Sequence, residues 1–81
     1  MTGRRLEAGT TLDEETGAAL AAEAQAMNVA KGDRLIVDLS ATETMDTRGG
    51  AWLLEIADYV RDRRGEFAWE GQRGPVAEQL A

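Results

Sequence analysis

"DRLIVDLSATETMDTRGGAWLL", residues 33–54, decides the fold. Its first part, "RLIVDL" at 34–39, is a continuous apolar run with β-branched Ile36 and Val37. Such a run reads as a strand buried on both faces. The polar stretch "SATETMD" at 40–46 then reads as a loop. From Thr47 the period changes. Gly49, Leu53, Ile56, Ala57 and Val60 recur at helical spacing, which predicts a helix over 47–64 with these residues on its buried face. Trp52 and Tyr59 lie on its shoulder, and Gly65 suits the position just past its end.

Outward from this unit the pattern repeats. Downstream, "EFAW" at 66–69 is a short strand and "EGQRG" at 70–74 a turn. Pro75 fits the first residue of a third helix. Upstream, residues 12–29 are rich in Ala, Glu and Gln and predict a first helix, capped by Thr11 or Asp13. Thr16, Leu20, Ala24 and Met27 share one face, and Gly17 weakens the helix by roughly 1 kcal/mol relative to alanine. "RRLEAGTTL" at 4–12 carries a strand or hairpin signal with Gly9 as a turn or bulge. Strand, helix, strand, helix, strand, helix implies an α/β domain with parallel pairing. We expect one domain over residues 1–81: a small mixed sheet with helices mainly on one face, lacking a final strand that could follow the third helix.

Composition bounds what such a domain does. The 81 residues are 43% hydrophobic, enough for a thin core. Fifteen acidic and nine basic residues give a net charge of −6, which argues against nucleic acid as the main partner and, less strongly, against an anionic membrane surface. Histidine and cysteine are both absent, so the chain itself supplies no disulfide, thiolate metal site or imidazole catalysis. The longest apolar runs are too short to cross a bilayer, so a cytoplasmic location is the expectation. No cofactor is expected.

Several residues carry a chemical and a structural reading together. Asp38, Glu43 and Asp46 are oxygen donors close in sequence, suited to magnesium, with Asp38 in the place of a phospho-accepting aspartate. Solvated loop carboxylates explain them as well. "DTRGGAW" has two glycines before a helix but neither phosphate-loop spacing. Close packing of the helix start accounts for them. Asp46 or Thr47 can cap the second helix, and the same N-terminus favours a phosphate on Thr47 with Arg48 as its partner. Trp69 reads as core, whereas Trp52 is either core or an interface anchor. "RDRRG" at 61–65 is a solvated helix end or a patch for an acidic partner.

"IVDLS" at 36–40, "MDTRGG" at 45–50, the helix after it and "FAWEG" at 67–71 together resemble the STAS domain family (sulfate transporter and anti-sigma factor antagonist). "RRLEAGTTLDEETGAAL" is similar to that family's preceding strand and helix, so the resemblance covers nearly the whole chain. In the anti-sigma antagonists of the family, the residue after the motif aspartate is a phosphorylated serine. That position is Thr47 here, followed by Arg48 where serine is usual, with the family glycine at Gly49. "MDTRGGAWLL" is more similar to the STAS modules of Mla-type phospholipid ABC transporters, which read "lDtaGawLL" there. Those modules are free subunits or N-terminal extensions of the permease, and they bind the ATPase subunit around the threonine. The resemblance therefore implies a non-enzymatic regulatory module at the cytoplasmic face of the inner membrane. Thr47 would be its central contact or modified residue, and Asp46, Arg48, Gly49 and Trp52 the rest of the surface. An anti-sigma factor antagonist, with a partner kinase acting on Thr47, is the alternative. Met1 and the end at Ala81 fit an N-terminal extension, with the permease following.

Overall fold

A computed structural model of the chain describes residues 3–72 and 74–80. Its elements run β1 (Gly3–Glu7), β2 (Thr11–Leu12), α1 (Glu14–Ala26), β3 (Arg34–Asp38), β4 (Thr44–Met45), α2 (Thr47–Asp62), β5 (Glu66–Glu70) and α3 (Gly74–Leu80). The α/β class expected from the sequence is what the chain forms. Arg73, inside the expected turn, and Met1 and Ala81, the ends on which the extension reading drew, lie outside the described residues.

The main sheet has the order β1-β3-β5, and both pairings are parallel. The second sheet, β2-β4, is parallel too, so the described strands contain no antiparallel pair of the kind a mixed sheet implies. Residues 4–12 are accordingly not a hairpin. After β1 the chain turns at Gly9, where φ is 80°, and runs on as β2. The segment after β3 does the same and returns as β4, inside the stretch expected to be loop. Glu43 N–H donates to Thr10 C=O (2.8 Å) and the buried Thr42 hydroxyl to Gly9 C=O (2.7 Å), which closes the gap between the two sheets. Two chain segments thus run side by side along their length. Each ends in an aspartate that starts a helix, and this sets the α1 and α2 N-termini next to each other.

Side-chain alternation decides which face is covered. Leu6, Leu35 and Val37 point to one face and are buried with Leu20, Ala24, Leu53, Ile56, Val60 and Val76 from the helices. The other face of the sheet carries Arg5, Glu7, Arg34, Asp38, Glu66 and Glu70 around half-buried Ile36 and Ala68. Parallel sheets are normally covered on both faces. Here Arg5 spans the open one, pairing with Asp38 (3.3 Å) across β3 and with Glu70 on β5.

The expected face of α2 is the observed one: Gly49, Leu53, Ile56, Ala57 and Val60 are its buried residues. For α1 the expected face needs correction. Gly17, Leu20, Ala21 and Ala24 are buried and Met27 is half-buried, but Thr16 is exposed. Thr16 instead completes a capping box, donating from its N–H to Asp13 (3.0 Å) and accepting from Asp13 N–H (2.8 Å). The end of α2 also differs from the expectation. Arg64, not Gly65, takes the left-handed conformation (φ 60°), with Arg64 N–H on Arg61 C=O (2.9 Å) and Gly65 N–H on Val60 C=O (2.9 Å). Gly65 is needed for space, because a Cβ there would lie 2.9 Å from Val29 and 3.0 Å from the Asp33 carbonyl.

Candidate functional site

The sequence left the capping residue of α2 open between Asp46 and Thr47. Asp46 is the cap: its Oδ1 accepts the Gly49 N–H at 2.8 Å, and its backbone is extended. Thr47 therefore occupies the first helical position and is exposed. It lines a groove of ≈ 600 Å³ with Met45, Gly50, Leu54, Trp69 and Leu80. Leu54 is 58% exposed and is the exposed large hydrophobic residue among the described ones. Leu54 lies seven residues, about two helical turns, along from Thr47, so a hydroxyl and an apolar side chain border the same depression. Trp69, read as core, is half-buried: one edge meets Phe67 in a T-shaped contact (5.7 Å between centroids), and it forms part of this groove.

The other expected site residues divide between surface and support. Arg48 is exposed and points toward α1, where it meets Glu14 at 3.7 Å. Trp52 is half-buried, and its indole N–H donates to the same Glu14 carboxylate at 3.0 Å. Gly49 is buried, so its part in the site is positional. A Cβ on it would stand 2.1 Å from the carbonyl oxygen of Leu12, at the end of β2. The helix start is seated directly on that strand, and Asp46 N–H donates to the same carbonyl at 3.2 Å. Glu14 escaped the sequence reading, although it binds two of the expected site residues. Only its position beside the Asp13 cap, in a helix lacking any cation, marked it out.

The carboxylates singled out for magnesium are not gathered. Asp38 accepts the Ser40 N–H at 2.9 Å and faces Arg5, Asp46 caps α2, and Glu43 is exposed in the loop between them. Among the described residues, no three histidine, cysteine or acidic side chains are placed to hold a metal ion. The Ser40 backbone bond, with the Ser40 side chain and then Arg5, holds the Asp38 carboxyl below its ordinary value. Thr16 does the same for Asp13, through the backbone bond first and the hydroxyl second.

Both groups have lower pKa values folded than unfolded. Their contribution is complete above the unfolded value and is lost as pH falls through the folded one. Thermal stability should thus decline below about pH 4. The Asp13→Asn/Asp38→Asn double variant should show a flatter decline in a melting series across that range. Parallel profiles for the two proteins would remove these aspartates as the cause.

No helix among the described residues is long and apolar enough to cross a membrane. Comparison of the chain with protein-family models, curated proteins and solved structures finds no match.

Proposed function

We propose that this chain is a non-enzymatic, STAS-like regulatory module that works by protein–protein contact through the start of α2. One observation carries the reading: exposed Thr47, relieved of capping by Asp46, borders an apolar groove whose rim includes the exposed Leu54. A hydroxyl beside uncovered apolar surface is the composition of a contact patch. The sequence resemblance supplies the partner class. On it, the partner is the ATPase subunit of a bacterial lipid-transport ABC system, at the cytoplasmic face of the inner membrane. Binding would favour the assembled form of that subunit, because a ligand shifts an equilibrium by its differential affinity for the two states.

Pull-down of the ATPase subunit tests this with wild-type, Thr47→Glu and Leu54→Asp chains. Thr47→Glu and Leu54→Asp each place a charge at the rim of the apolar groove. Recovery should fall about tenfold for each, equivalent to ~1.4 kcal/mol of binding. Equal recovery of all three proteins would overturn the assignment.

The second reading is an anti-sigma factor antagonist. The exposure of Thr47 at the first position of α2 favours it, since a phosphate there meets the positive end of the helix dipole. This reading expects ATP-dependent phosphate on Thr47 after incubation with an anti-sigma kinase, read by mass spectrometry. An unmodified Thr47 would count against it.

A further inference from the structure

A second depression lies between α1 and α2, farther along α2 than the Thr47 groove. It has a volume of ≈ 250 Å³. Its floor is made of the buried residues Ala21, Ala24 and Ile56. Half-buried Trp52 and Tyr59 form its aromatic walls. Glu55, Asp58 and Asp62 stand exposed along its α2 rim. An apolar floor, two aromatic rings and three carboxylates are together the features that recognise a guanidinium side chain.

The charge around this groove is one-sided. Residues 14–26, the whole of α1, contain no lysine or arginine. Of the cations on α2 and its end, Arg48 is paired with Glu14 of α1 (3.7 Å) at the Trp52 end, and Arg61 and Arg63 are engaged away from the floor. Arg61 meets Asp58 at 3.8 Å between two exposed side chains, a pairing weak enough for a competitor to replace. Arg63 donates to the Val29 carbonyl and lies 5.5 Å from the centre of the Tyr59 ring. Arg63 also shows that this tyrosine already accepts a guanidinium. The three carboxylates recur at i, i+3 and i+7, which puts them on one face of α2 over about 10 Å. That row is longer than one guanidinium and matches arginines repeated along a segment.

We propose that the α1–α2 groove is a docking site for an arginine-bearing segment of a protein partner. The arginine stem lies over Ala21, Ala24 and Ile56, as long cationic side chains do on apolar surface. Its planar head stacks on the indole of Trp52 and meets the rim carboxylates bidentately. Lysine, a strongly hydrated point charge, gains less from the aromatic walls. The site does not depend on Thr47, whose groove lies at the start of the helix.

The test uses the full chain with Trp69→Phe, which leaves Trp52 as its one tryptophan. The probe is an alanine-based peptide with arginines at i, i+3 and i+7, titrated at physiological salt and followed by Trp52 emission. A saturable change is expected. The Glu55→Gln/Asp58→Asn/Asp62→Asn variant should bind about tenfold more weakly. A charge-matched control, Glu43→Gln/Glu66→Gln/Glu78→Gln, should bind within about threefold of the parent, because its changes lie off the groove. The lysine version of the peptide should bind several-fold more weakly, and Thr47→Val should leave the arginine peptide's affinity unchanged. Circular dichroism of both triple variants checks that the fold is retained. The proposal is overturned by any one of three results: no saturable change, equal losses in the two triple variants, or equal binding of the lysine peptide. A Thr47→Val chain that fails in the ATPase pull-down yet binds the probe separates this site from the Thr47 surface.

Discussion

Gly49→Ala is expected to cost about 3 kcal/mol or more of folding stability, whereas Gly50→Ala should gain ~0.5–1 kcal/mol. The two glycines are adjacent, and helix propensity alone treats them alike. Their surroundings differ. A Cβ on Gly49 would lie 2.1 Å from the Leu12 oxygen and 2.5 Å from its carbon, both backbone atoms that cannot rotate away. Relief would mean lifting the α2 start off β2, which breaks the Asp46 N–H bond to Leu12 and disturbs the cap on Gly49. A Cβ on Gly50 would meet the end of Met45 at 3.8 Å, an ordinary contact. Thermal and urea denaturation of the two single variants decides the matter. Similar shifts in the two would show that the helix start is not seated on β2 as described.

The same pair of glycines shows what a sequence can and cannot disclose. Residues 34–39 are legible as a strand and 47–64 as a helix, each within two residues of the observed end, because their periods are strong and local. Gly49 is legible as a residue of the buried face, but the atom it must clear belongs to Leu12, far away in the chain. β4 is hidden for the same reason. Thr44 and Met45 pair with Thr11 and Leu12, and nothing within "SATETMD" records that partner. The left-handed residue ending α2 is another case. Gly65 draws the eye, yet its lack of a side chain is used for packing against Val29 and Asp33, so the conformation falls on Arg64. In the site, the choice between Asp46 and Thr47 turns on which oxygen reaches the Gly49 N–H, a matter of geometry. Glu14 acquires its role only when α1 and α2 start side by side, placing one carboxylate between Trp52 and Arg48.

Gly17→Ala should destabilise the chain by about 1–3 kcal/mol, although alanine is the better helix former by ~1 kcal/mol. A glycine inside α1 looks like a defect in the sequence. In the fold it is where Trp52 crosses: an added Cβ would lie 2.7 Å from both Cβ and Cδ1 of Trp52 and 2.8 Å from Cγ. Turning the ring does not clear the Cβ contact, because that atom is fixed to the α2 backbone. The helices must separate, and the indole bond to Glu14 (3.0 Å) goes with the shift. A double-mutant cycle isolates this contact. In a Trp52→Ala background the Cγ and Cδ1 contacts are gone and the Cβ contact alone remains. Gly17→Ala should then cost about 1–2 kcal/mol less than in the parent, a coupling within the range for touching residues. Equal costs in both backgrounds would mean that the indole ring adds nothing to the clash and that the Cβ contact alone sets it. A smaller cost would show that one glycine sets the distance between α1 and α2. That distance shapes both the Glu14–Trp52–Arg48 cluster and the aromatic wall of the groove beside it.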